Sequence, residues 1–206
     1  GLVYDAENLA FILPAGKYIG NSRYKDVFAA SAMADLTSFR NHWGAETSLD
    51  VELYRPVARY ELVAKDVATF LNKLSTGGLK GESFTARVKY SDYLPTGYNL
   101  WDDVPKNSLM YMEYKVAFER PADGTKELIL GFDYVLTDAG ETVSIPVELE
   151  ILNEKNEVLA RTAFRVPCER GKNTTVRGNF LTSDANGGIG IDPDYDGDLE
   201  VDLGEL

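Results

Sequence analysis

With 206 residues, 44% of them hydrophobic and 26% charged, the chain has the composition of a globular protein and not of a disordered one. That length holds one large β-domain or two small ones. The 33 acidic against 21 basic residues leave a net charge of -12, which argues against nucleic acid as a partner, since a polyanion would be repelled instead of releasing counterions to Lys and Arg.

From the amino terminus, Gly1-Leu2-Val3-Tyr4 reads as the start of a trimmed chain, with no signal peptide, membrane-spanning run or lipobox. Residues 25–36, rich in Ala, suit a short helix or a collapsed loop. Leu49, Val51 and Leu53 alternate with Asp50 and Glu52, which predicts a strand. Pro56 cannot donate to a ladder, so a bulge or a crossing between sheets is expected there. Ala58, Tyr60 and Leu62 continue as the next strand. Asp66–Leu74 has an acidic cap, apolar residues at helical spacing and Gly77-Gly78 beyond it, which predicts a helix across an open end of the sheets.

The clearest period-two segment follows: Phe84, Ala86, Val88 and Tyr90 against Thr85, Arg87 and Lys89. Side chains on a strand alternate between faces, so this is a strand with one buried and one wet side. Ser91–Ser108, rich in Pro, Gly, Asn and Asp, reads as a loop and as the boundary between lobes 1–105 and 106–206. Beyond it lies a meander. Strand 110–119 carries Met112, Tyr114, Val116 and Phe118 inward. Turns at Ala122-Asp123-Gly124, Asp138-Ala139-Gly140 and Asn153–Asn156 separate it from strands 126–136, 142–152 and 157–166. In strand 142–152 the inward set is Val143, Ile145, Val147, Leu149 and Ile151, with Glu148 and Glu150 outward. Strand 173–181 and a last one at Leu199–Leu203 complete the chain. The whole is all-β, a sandwich or barrel architecture, and such proteins mostly bind or build.

Residues able to carry chemistry are few. Cys168 is the only cysteine and His42 the only histidine, so no internal disulfide exists and a nucleophilic dyad would need those two together. Cys168 reads instead as a small core residue. Asp192-Pro193-Asp194-Tyr195-Asp196-Gly197 has the opening of a calcium loop, but its twelfth position is Leu203 where a bidentate Glu belongs, so no metal is expected. Asp184–Gly190 lacks the Lys and the following helix of a phosphate loop. No cofactor and no catalytic residue is assigned, and the chain is expected not to be an enzyme. Tyr93, Tyr98, Trp101 and Trp43, placed in loops, would suit a surface glycan-binding protein.

Two segments bear a family resemblance. One runs Val51-Glu52-Leu53-Tyr54-Arg55-Pro56-Val57-Ala58-Arg59-Tyr60-Glu61-Leu62. The other runs from Val166-Pro167 through Arg170, Thr174 and Gly178 to Leu181-Thr182, with Gly187–Pro193 after it. Together, in that order, they resemble the fimbrillin-like proteins of Bacteroidales. The resemblance implies two transthyretin-like β-sandwich lobes, with the chain starting part-way into the first. It also implies export as a lipoprotein, membrane contact only through the precursor's lipid anchor, and a place on the outer membrane as a fimbrial subunit or adhesin. Partners would be other pilus subunits, taken up by strand pairing, or ligands on host or bacterial surfaces. The motif residues Arg55, Pro56, Ala58, Arg59, Pro167, Arg170, Thr174, Gly178, Leu181 and Thr182 are then structural. The arginines tie strand ends, and Gly178 marks a bend in its strand.

Overall fold

The computed structural model describes residues 2–4, 11–14, 16–183 and 200–202. Its strands are β1 (Leu2–Tyr4), β2 (Phe11–Pro14), β3 (Val57–Ala64), β4 (Ser83–Tyr90), β5 (Leu94–Asn99), β6 (Val104–Leu109) and β7 (Glu113–Glu119). They continue with β8 (Leu128–Leu136), β9 (Thr142–Asn153), β10 (Val158–Glu169), β11 (Asn173–Gly178) and β12 (Glu200–Asp202). One α-helix, α1 (Val67–Ser75), joins β3 to β4.

These strands form three four-stranded sheets, ordered β10-β9-β4-β7, β12-β11-β3-β8 and β1-β2-β5-β6. Every pairing is antiparallel except β11 with β3. The first two sheets face each other, as expected of an all-β sandwich. Their inner faces share one core, with Tyr60 and Leu62 of β3 against Phe84, Val88, Leu149 and Ile151 of β4 and β9. Burial of each such side chain contributes about 1.5–3 kcal/mol. Phe84 stacks on Phe118 across β4 and β7 and meets Phe70 of α1 edge-on, so the helix closes one end of the sandwich. The boundary drawn between residues 105 and 106 is crossed by pairing, since β3 lies between β8 and β11, and β4 between β7 and β9.

Several expectations need correction. Leu49–Leu53 forms no strand. Its side chains are exposed, and Tyr54 just after it makes an isolated bridge to Ala29. Of the two readings of residues 25–36 the helix is wrong and the irregular loop holds, with 3-10 turns at Arg23–Lys25 and Thr37–Phe39 on either side. Ser91–Ser108 is not a loop but contains the β5–β6 hairpin, whose reversal ends on the left-handed Asp103; Asn107, also left-handed, lies within β6. Pro56 marks neither a bulge nor a crossing. It precedes β3, and its carbonyl accepts from the Thr137 amide at 3.1 Å. β11 stops at Gly178, so that glycine ends its strand instead of bending it. Glu150 points outward as expected yet is wholly buried, covered by Arg87, Lys89 and Arg161 from the strands on either side. The turns at Gly124 and Gly140, by contrast, fall where expected, each with positive φ.

Candidate functional site

The second sheet ends in an edge strand, β8, and the chain segment 16–26 is laid across that edge. The Asn21 amide donates to the Phe132 carbonyl at 3.0 Å, and the Phe132 amide donates to Asn21 Oδ1 at 3.2 Å. Loops laid over sheet edges in this way shield a row of free amides and carbonyls from other chains. The strap sits tightly at Gly20, where any side chain would run into the Tyr114 ring.

Beneath the strap lies a buried polar hub. Asp133 of β8 has no exposed surface, and its carboxylate accepts from the Tyr18 hydroxyl, from Tyr90 at 2.6 Å and from the Tyr134 amide at 2.8 Å. Lys25 Nζ pairs with it at 2.5 Å and sits 4.3 Å from the centre of the Tyr18 ring. The Tyr60 hydroxyl bridges to Tyr90 at 2.6 Å and to Tyr114 at 3.3 Å. Burial, reinforced by the Asp133 charge, pushes the hydroxyls of Tyr18, Tyr60, Tyr90 and Tyr114 above their ordinary range. They therefore remain neutral donors. Burial lowers the Lys25 ammonium, and the facing Asp133 carboxylate opposes that. The hub thus fastens two strap residues, Tyr18 and Lys25, to the edge strand. Alternation alone did not single out Asp133; an acid between Phe132 and Tyr134 at an inward-facing parity was the available signal.

Beside the hub opens a small cleft lined by Tyr18, Lys25, Val57, Pro95, Leu109 and Leu136 among others. One wall is the outer edge of β8 at Tyr134 and Leu136, and the opposite wall is β5. Its surface is mostly apolar. Among the described residues, Asn21 to Phe132 is the one backbone bond from the strap to β8, so the edge beyond Phe132 is not paired by the strap.

The ten motif residues surround this frame. Arg55 pairs with Asp26 at 2.9 Å and stacks on Phe28, holding the strap's far end. Arg59 bonds Asn173 at 2.5 Å and Glu61 at 2.7 Å, joining β3 to β11. Arg170 makes two bonds to Asp103, at 2.8 and 2.7 Å, while Tyr98 donates to the same carboxylate at 2.8 Å. Arg170, with Tyr54 and Tyr98, holds the Asp103 carboxyl down at about 2 and so locks the β5–β6 hairpin to the sandwich. Thr174 donates to the Pro167 carbonyl at 2.7 Å, and the Gly178 carbonyl accepts from Lys65. The Leu181 amide and Thr182 hydroxyl donate to Asp66 at the start of α1, so that carboxylate ties the helix to the end of β11 and does not cap its own turn. Ala58 is simply buried in the core.

Other candidates separate. Cys168 is wholly buried in β10, its thiol pushed up to about 12 by burial and by Asp133, while His42 is exposed in a turn. They form no dyad. Of the aromatics expected in loops, Trp43, Tyr93 and Trp101 are exposed but Tyr98 is fully buried. The calcium-like and glycine-rich stretches lie outside the described residues, apart from Glu200–Asp202. No described helix is long and apolar enough to cross a membrane.

The fold and its edge define an all-β sandwich whose free edge strand is strapped by an irregular segment and flanked by an apolar cleft. The chain belongs to a family of unknown function, DUF6562, whose model matches residues 1–204. No curated protein matches it. Among solved structures it is similar to one described as a "putative cell adhesion protein" from Bacteroides ovatus ATCC 8483. The identity is 12% and the TM-score 0.35, over 62% of this chain and 41% of the other. The chain therefore spans well under half the length of that neighbour.

Proposed function

We propose that this is a non-enzymatic, fimbrillin-like cell-surface subunit that assembles by β-strand complementation. A strand from a neighbouring subunit would enter the cleft and pair with β8 where the strap leaves it unpaired. The observation that carries this reading is the β8 edge itself. Thr137 donates toward β3, and Phe132 turns its amide and carbonyl toward the strap. By alternation the Leu136 amide faces the cleft, where an added strand would find it, while the Tyr134 amide is already taken by Asp133. The apolar lining would bury alternate side chains of that strand. The two sequence segments that resemble fimbrillins support export and surface display. The partners are then other subunits or surface ligands, with membrane contact through a lipid anchor.

The test compares Leu136→Pro with Leu136→Ala in full-length protein assembled on its native cell surface. Both remove the same packing, but only Pro removes the outward amide. Detergent-resistant oligomers that persist in the Ala variant and vanish in the Pro variant support the reading. Native protein that is monomeric, or oligomers indifferent to Pro, would overturn it.

A further inference from the structure

A second cleft lies on the other side of Pro95 and Leu136 from the first. Its walls include the β4–β5 turn at Asp92-Tyr93, the end of β8 at Thr137-Asp138, and Ser144 and Pro146 of β9. Three features distinguish it. Tyr93 is 62% exposed, leaving its ring open to stacking. Asp92 and Asp138 place two carboxylates on the walls, with Asp92 already orienting the Tyr93 amide at 2.7 Å. Thr137 is wholly buried, and its Oγ1 is the one buried side-chain polar atom among the described residues that lacks a hydrogen-bond partner. A buried hydroxyl without a partner is costly, and native proteins carry few.

We infer that this cleft is a binding site for a neutral sugar residue of a glycan. A pyranose has an apolar C–H face, suited to the Tyr93 ring, and a rim of hydroxyls that both donate and accept. The carboxylates of Asp92 and Asp138 accept from such hydroxyls. Ser144 Oγ, held by Arg165 at 3.0 Å, keeps its own hydrogen to donate. Thr137 lines the cleft with its Oγ1 sealed from solvent, so a sugar hydroxyl would satisfy that oxygen only as the wall opens on binding. Acidic sugars are disfavoured, because two carboxylates line the cleft and the chain carries a net charge of -12. The site does not depend on subunit assembly, and the residues tested below do not line the first cleft.

The experiment screens full-length protein on an array of neutral, N-acetylated and uronic-acid oligosaccharides, then titrates maltotriose and N-acetyllactosamine by calorimetry. Binding to neutral glycans is expected, weakened at least about tenfold by Tyr93→Ala and by Asp138→Asn, in line with loss of a stacking or charged hydrogen-bonding partner. Thr137→Val is the decisive variant. It should raise the melting temperature of the free protein, since a methyl replaces the unpartnered hydroxyl, and yet weaken sugar binding several-fold. The inference is overturned if no neutral glycan binds, if only uronic-acid glycans bind, or if Tyr93→Ala and Thr137→Val bind as tightly as the parent.

Discussion

Replacing Asp133 with Asn should release the strap. The substitution keeps the shape of the side chain and one acceptor oxygen, so Tyr18 or Tyr90 can still donate. What is lost is the charge facing Lys25, whose side chain is only 15% exposed while that of Asp133 is not exposed at all. Removing one partner of such a buried pair costs roughly 3–5 kcal/mol, most of it the penalty of stranding the other charge. For a domain of this size each kcal/mol lowers the melting temperature by about 2–4 °C, so a drop of about 6–20 °C is expected. A second variant locates the effect. Asp133→Asn combined with Lys25→Met should cost clearly less than the two single changes added together, because the stranded ammonium is gone. Hydrogen exchange reads the mechanism directly: the Asn21 amide should lose protection before the β4 and β9 amides of the sandwich do. A cost below about 1 kcal/mol, additive single and double variants, or unchanged exchange at Asn21 would refute the claim that this pair fastens the strap.

Three further outcomes are expected. Burial alone would raise the Glu150 carboxyl, but hydrogen bonds from Lys89, Arg87 and Arg161 hold it at about 2, so its contribution to stability is present above its unfolded value near 4.5 and lost as pH falls toward about 2. Glu150→Gln should flatten that acid limb in pH-dependent unfolding, and an unchanged limb would count against it. Cys168, buried with its thiol pushed up to about 12, should resist iodoacetamide in the folded protein and react only on unfolding; rapid labelling under native conditions would contradict its place in the core. Val147→Ala, on the inner face of β9, should cost about 1–3 kcal/mol in denaturant unfolding, while Lys115→Ala, half exposed on the outer face of β7, should cost under about 0.5 kcal/mol. Equal costs would mean the faces have been exchanged.

Alternation was legible wherever a strand has one wet face and partners on both sides. Phe84, Ala86, Val88 and Tyr90 are all inward, and so are Ile145, Val147, Leu149 and Ile151. It misled at Leu49–Leu53, where the pattern is present but every one of those side chains is exposed. It missed the β5–β6 hairpin because Pro95, Gly97, Pro105 and Asn107 disguise strands that are mostly held by each other and by the Arg170–Asp103 lock. Glu150 was read as solvated because parity reports which face a residue is on and not what covers that face. The cleft beside β8 brings together residues 18, 57, 95, 109 and 136, a proximity that no local pattern encodes. The motif arginines Arg55, Arg59 and Arg170 meet Asp26, Asn173 and Asp103, partners that no local pattern names.

The parallel register of β11 on β3 has a kinetic consequence. Arg59 and Asn173, bonded across that register, are 114 residues apart in the chain. In the β10-β9-β4-β7 sheet the β9–β10 hairpin joins strands adjacent in sequence, while β4 waits for β7 and β9. The opposing sheet lacks its β11 strand until residues 173–178 have been made, and closing so long a loop opposes their docking entropically. Folding should therefore be late and nearly all-or-none with respect to synthesis: a nascent chain that stops short of Gly178 holds β3 with one side open. β3 gains its second neighbour only when residues 173–178 arrive, so the sheet closes from the far end of the chain.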